Sequence, residues 1–373
     1  MVGNFTAGRF VLGRALLASI LAMALTGCQN ATSDATSATL TVTSPVATKL
    51  YGVTDSSTNT VAVPLTFTTN QPTVEYSLNS TSTWTTAASG TNLASLLRDG
   101  FNTLTVRAKD SSGNVTKTAD TLTFLHWSGM HSEGSYSGYN ANWQSATEVT
   151  TVISTDTTLA TPSSGNGGGA FTLASKYLTL TTQTAQSTAN GTYADLNWSI
   201  VSGTTNPTRL GIWTGVRNLP YYSASDSSWS NYVAVGQMHS DGQSVVAVVA
   251  ATGSGTYQVA IWDTAASTST VATSSSVSIS DFTPNSTFAT TNVYARYAVG
   301  LIRDGTSFAA GLVDLDTVTV DSSGNATSAP TIVALATKTG YTPFTGTLNS
   351  FILPARNLSS DTTQISGLWT SWY

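Results

Sequence analysis

Val61, Val63, Leu65 and Phe67 occupy every second position of one short stretch, and this period of two recurs along most of the chain. Alternation of that kind places one apolar face on each strand. Leu40 and Val42 begin it, and Val74-Glu75-Tyr76-Ser77-Leu78 continues it. In Phe101 to Ala108, residues Leu104, Val106 and Ala108 share one face while Phe101, Thr103, Thr105 and Arg107 share the other. No helical periodicity of useful length appears anywhere after the first thirty residues. The expected class is therefore all-β.

Composition agrees. Only 9% of the 373 residues are charged while 40% are apolar; a typical soluble domain carries about 25% charge. Ser and Thr, roughly a third of the chain, take over the solvated surface. Thr, Val and aromatic residues suit a pleated, half-buried surface. The apolar content is too high for disorder.

The chain reads in four parts. Residues 1–27 hold Arg9, Arg14 and an apolar run from Ala15 to Leu25, the pattern of a secretory leader. Residues 28–38 are small and polar, a tether. Residues 39–124 carry several short strands ending in the turn Asp110-Ser111-Ser112-Gly113-Asn114, the spacing of a sandwich. Residues 125–373 begin with a Gly/Ser/aromatic connection and hold longer strands. Candidates are 171–182, 194–201, 232–238, 244–251, 257–262, 294–302, 307–312, 318–320 and 347–353. Some 250 residues of this pattern suit a two-sheet jelly roll.

Three resemblances follow. Leu25-Thr26-Gly27-Cys28 resembles the lipobox of bacterial lipoproteins, which implies cleavage before Cys28, the only cysteine, and its lipidation. That resemblance also implies a bacterial outer-membrane or cell-surface location, with Gln29 matching an outer-membrane sorting preference. The run LRDGFNTLTVRAKDSSGNVT, with Tyr76 through Trp84, resembles bacterial immunoglobulin-like or fibronectin-type-III-like modules, usually spacers or adhesive units. Tyr294 to Asp316 and Phe344 to Trp369 resemble the concanavalin-A-like and laminin-G-like family. Gly346, Leu348, Phe351, Arg356, Leu358, Ser359, Gln364, Ile365 and Leu368 fit its closing pattern.

Without its leader the chain has 12 basic and 19 acidic residues, a net charge of −7. No basic patch is left to follow phosphates, so nucleic acid is disfavoured as a partner. One cysteine excludes an intrachain disulfide. The partners expected are a membrane, through lipid on Cys28, and a glycan or other cell-surface ligand.

Catalytic chemistry is sparse. Glu75, Glu133 and Glu148 are the only glutamates, and the Glu-x-Asp-x-x-Glu motif of the laminarinase branch is missing. Asp314 and Asp316 share a strand face and read as its solvent side. His126, His131 and His239 lack ligand-spaced partners and read as loop or hairpin residues. No G-x-S-x-G elbow occurs. No cofactor is implied. Ca²⁺ is the one ion left open, at the repeated DSSGN turns (Asp110/Asn114 and Asp321/Asn325). Six or more ligands are needed, however, so turn chemistry explains both better.

The functional segment is Trp213 to Tyr232, where aromatic rings alternate with amides and charges without strand periodicity. Trp213, Arg217, Tyr221, Tyr222, Asp226, Trp229 and Asn231 are the candidate ligand-binding residues, since flat rings stack on sugars while polar neighbours bind hydroxyls. Non-catalytic recognition or adhesion is the expected function. A polysaccharide-acting hydrolase or lyase and a structural envelope protein are the alternatives.

Overall fold

The computed structural model describes residues 37–52, 61–127, 140–141, 170–174, 177–181, 192–199, 207–220, 231–263, 269–357 and 363–372. Cys28, the expected leader and most of the expected tether lie outside them. The expected all-β class holds, with two consecutive sandwiches and only isolated helical turns.

The first sandwich is built from β1 (Leu40–Ser44), β2 (Leu50–Tyr51), β3 (Pro64–Thr69), β4 (Thr73–Leu78) and β5 (Thr85–Thr86). It continues through β6 (Thr91–Asn92), β7 (Gly100–Lys109), β8 (Val115–Thr118) and β9 (Leu122–His126). One sheet runs β1-β3-β6; the other runs β2-β9-β7-β4-β5, with β8 also on β7. The chain thus starts in one sheet and changes to the other, where β2 lies parallel to β9. Leu104, Val106 and Ala108 of β7 point inward with Val63, Leu65, Val74 and Tyr76, as the alternation requires.

The second sandwich begins with β10 (Asn140–Ala141), β11 (Ala170–Ala174), β12 (Tyr177–Thr181), β13 (Thr192–Ser199) and β14 (Arg209–Asn218). Next come β15 (Tyr232–His239), β16 (Ser244–Gly253), β17 (Thr256–Asp263), β18 (Ser269–Thr273) and β19 (Val277–Ser278). The last strands are β20 (Tyr297–Asp304), β21 (Ser307–Asp314), β22 (Thr331–Lys338), β23 (Leu348–Asn357) and β24 (Thr363–Trp372). One sheet runs β11-β12-β24-β14-β20-β21-β22 and the other β13-β23-β15-β16-β17-β18. Leu210, Ile212 and Val216 of the first meet Val233, Val235, Val249 and Ile261 of the second in the main core.

The first sheet is apolar on both faces. Its outer face carries Trp213, Ala298, Ile302, Ala309, Val313 and Trp369, and the first sandwich lies on it through Leu50, Leu125, Trp127 and Phe101. The fully buried Trp127 ring fits over Gly211, where a Cβ would sit only 2.1 Å from it. Backbone contacts lock the same junction: Leu50 N–H donates to Pro330 O (3.1 Å) and Ile332 N–H to Thr48 O (2.8 Å). Lys49 Nζ donates to Ala329 O at 3.0 Å. Asp304 accepts from Phe101 N–H at 3.1 Å and pairs with Arg98 at 3.4 Å. The first sandwich is a cover on the second, not a spacer extended from it.

Double coverage explains why the Trp213 segment lacks alternation. β14 is buried on both faces from Leu210 to Val216, so inward and outward positions are equally apolar. The expected strand at 294–302 begins three residues later, at Tyr297, and 318–320 contributes only an isolated bridge, Val320 to Ala326.

Candidate functional site

Arg217 stands at the end of β14, where the strand runs short of regular partners. Val216 pairs with Ile365 and Asn218 with Gln364, so Arg217 is the extra residue of a β-bulge. On the other side, pairing with β20 ends at Val216 and Tyr297. A bulge breaks the pleat and re-aims one side chain. Here it turns the guanidinium across the Tyr177 ring of β12, 4.5 Å from its centroid. The Arg217 Nη1 donates to the Tyr294 carbonyl at 3.0 Å.

Tyr294 is itself unusual. It closes a π-helical turn, Ala289–Val293, with φ 58° and ψ 22°, a left-handed conformation that a bulky residue rarely takes. Isolated π-turns and left-handed non-glycine residues concentrate where function constrains the backbone. Ser366 Oγ of β24 donates to Val293 O at 2.6 Å and fixes the turn. Thr214 Oγ1 donates to Gly367 O at 2.8 Å and braces a second bulge, in which Gly367 is the extra residue of β24. Bulge, π-turn and stacked arginine thus meet in one place, with Arg217, Tyr177 and Tyr294 all half-buried.

The segment leaving this cluster is pinned at its neck. Leu219 O accepts from the Tyr257 hydroxyl at 2.9 Å, and Pro220 O accepts from Asn231 Nδ2 at 3.3 Å. Tyr221, Tyr222, Asp226 and Trp229 lie outside the described residues. Beyond the neck, Tyr232 opens β15 opposite Arg356 of β23. Its half-buried ring meets that of Trp262 edge to face, 5.2 Å between centroids. Both rings pack on Ala234, Val246, Val248 and Ala250.

Of the sequence-selected residues, Arg217 alone has a side chain suited to a ligand among those described. Trp213 is a correction. It is 1% exposed, and its ring lies across Gly300, where a Cβ would come within 2.0 Å, and Gly311. A ring clamped over two glycines of neighbouring strands has no free face. Asn231 is fully buried and clamps the neck. Tyr177 and Tyr294 were missed because neither is near Arg217 in the chain; a tyrosine preceding a strand carries no local signal of a left-handed backbone.

The remaining expectations resolve as follows. His126 is buried rather than a loop residue, and its Nδ1 lies 2.8 Å from Asp99 Oδ1. His131 lies outside the described residues. His239 is also buried, not exposed: its ring stacks on Phe344 at 3.6 Å and its Nδ1 bonds Gly346 O at 2.9 Å. Burial lowers its pKa, and Nδ1–H is the donor in that bond because a carbonyl oxygen only accepts. Asp314 is buried, with its Oδ2 3.4 Å from Arg296, and Asp316 lies 3.5 Å from the same guanidinium. Asp316 also accepts from the Asn285 and Ser286 N–H groups. In both DSSGN turns the aspartate accepts two backbone N–H groups of its own loop and the asparagine amide. Among the described residues, no three His, Cys, Asp or Glu gather as a metal site needs, and no helix is long and apolar enough to cross a membrane.

No protein-family model matches the chain, and no curated protein matches it in sequence. Among solved structures, it is similar to the CBM2 module of the evolved Dit of Lactobacillus casei BL23 phage J-1. That match has 9% identity and a TM-score of 0.36 and covers 55% of this chain and 79% of that one. It is also similar to full-length tailspike protein 2 of the Escherichia coli O157:H7 bacteriophage CAB120, with 13% identity and a TM-score of 0.27 over 55% of this chain and 26% of the tailspike. Both likenesses are distant.

Proposed function

We propose that this chain is a lipid-anchored bacterial surface protein that recognises glycans without catalysis, through the end of its second sandwich. The observation that carries the reading is the bulged Arg217, stacked on Tyr177 and tied to Tyr294. It offers a fixed guanidinium fork beside half-buried rings, the combination that stacks on a sugar face and bonds its hydroxyls. The Asp314 and Asp316 carboxylates already grip Arg296, which favours recognition over the two-carboxylate hydrolysis of the alternative reading. On resemblance, we assign residues 39–124 to the immunoglobulin-like modules and 125–373 to the concanavalin-A-like family.

The full mature chain carrying Cys28→Ser is the reagent for the glycan test. It is expected to bind members of a glycan array, and Tyr177→Ala is expected to weaken that binding with little change in melting temperature. Absence of binding to every glycan and to whole cells would sink the proposal. The anchor is tested separately: Cys28→Ser should move the protein from the membrane to the soluble fraction, because two or more acyl chains, not protein insertion, hold it there. A membrane-bound Cys28→Ser protein would rule the anchor out.

A further inference from the structure

From the geometry around Arg217 we infer that the glycan is acidic, and that a sugar carboxylate is the group this guanidinium takes. The inference rests on the glycan reading and deepens it. A guanidinium carries five N–H donors in a planar fork matched to a carboxylate. At Arg217, Nη1 donates to the Tyr294 carbonyl and the Tyr177 ring covers the guanidinium. Neither contact neutralises the charge. Arg98, Arg107, Lys109, Arg209 and Arg296, by contrast, each lie within salt-bridge distance of an Asp or Glu. No described carboxylate lies within salt-bridge distance of Arg217.

The setting makes that charge effective. Arg217 is half-buried, so its field is less screened than at an open surface. The protein as a whole is acidic, net −5 for the full chain, so general attraction cannot bring an anion here. A local cation in an acidic protein selects by position. The left-handed Tyr294 matters for the same reason: its conformation aims the carbonyl that holds one edge of the fork, and the π-turn behind it is fixed by Ser366. Strain is retained where it orients the arginine.

The test uses matched ligands: oligogalacturonate, alginate oligomers, hyaluronan oligomers and sialyllactose, each beside its carboxyl-reduced counterpart, titrated against the full mature Cys28→Ser chain. At least one acid is expected to bind about ten-fold or more tightly than its reduced form, the contribution of one charge-assisted hydrogen bond. Arg217→Gln should erase that preference, leaving acid and reduced forms bound equally, and Arg217→Lys should retain part of it. The preference should also shrink between 50 and 500 mM salt. Equal binding of acid and reduced forms overturns the inference and leaves the glycan reading standing. An acid preference that survives Arg217→Gln overturns it as well, by placing the anion elsewhere. If no glycan binds in either form, both fail. The comparison of each acid with its reduced form needs no substitution at the site, so a poorly folding Arg217 variant cannot obscure the outcome.

Discussion

Gly211→Ala is expected to unseat the first sandwich from the second. The added Cβ would lie 2.1 Å from Trp127 Cε2, 2.3 Å from Cζ2 and 2.6 Å from Cδ2, well inside van der Waals contact. β14 cannot retreat, because it is the central strand between β24 and β20. The ring must therefore move by more than an ångström out of a fully buried site. If the ring only tilts, the cost is that of overpacking, about 1–3 kcal/mol. If it leaves, the cost approaches that of a Trp→Ala truncation, about 3–5 kcal/mol. Three of its atoms clash at once, which argues for expulsion. At about 2–4 °C per kcal/mol for a domain of this size, the melting temperature should fall by roughly 6–20 °C. Differential scanning calorimetry on wild type, Gly211→Ala, Trp127→Ala and the double variant supplies the check. Because both substitutions remove the same contact, the double variant should cost no more than Trp127→Ala alone. A Gly211→Ala protein within 0.5 kcal/mol of wild type, or two effects that simply add, would refute the reasoning.

Three further outcomes follow from other parts of the molecule. Tyr294→Gly and Tyr294→Ala both delete the ring, but only alanine keeps the left-handed strain; the glycine variant should be more stable by about 1 kcal/mol in urea unfolding, and equal stabilities would show that Tyr294 is unstrained. Arg296→Met leaves the buried Asp314 without its cation and should cost about 1–3 kcal/mol, discounted for partial exposure; adding Asp314→Asn should recover part of that loss, and no recovery would dismiss the ion pair as its cause. Burial raises the Asp241 pKa, but the N–H groups of Thr345, Gln243 and Gly346 with the Thr345 hydroxyl outweigh it and hold the carboxyl well below the usual carboxylate range. Its folded pKa being depressed, its stabilisation is present above the unfolded value near 4 and fades as pH falls below it. Asp241→Asn should accordingly flatten the acid side of the stability profile between pH 4 and 2, as read by denaturant melts, and an unaltered profile would count against that role.

Much of the fold was legible because local rules set it. The alternation of β7 became one buried and one outward face. The two DSSGN strings became the same turn twice, since each aspartate finds its partners within four residues. Arg217 was also legible as a polar residue among rings. The alternation failed on β14, where the first sandwich covers the outer face and removes the polar half of the pattern. Trp213 looked like a binding residue for the same reason: an aromatic without periodicity reads as a surface feature until a second layer is known to cover it.

From its sequence alone, this protein is determined to be strand-rich and, with one cysteine, free of intrachain disulfides. These depend on composition, on period and on neighbours a few residues apart. Tertiary structure alone decided that the first sandwich caps the second, that Trp127 and Trp213 close over glycines, and that Arg217, Tyr177 and Tyr294 meet. The last three lie 40 to 117 residues apart in the chain. Their meeting depends on a bulge against β24 and a π-turn held by Ser366, contacts between distant strands for which no single stretch of sequence carries the signal.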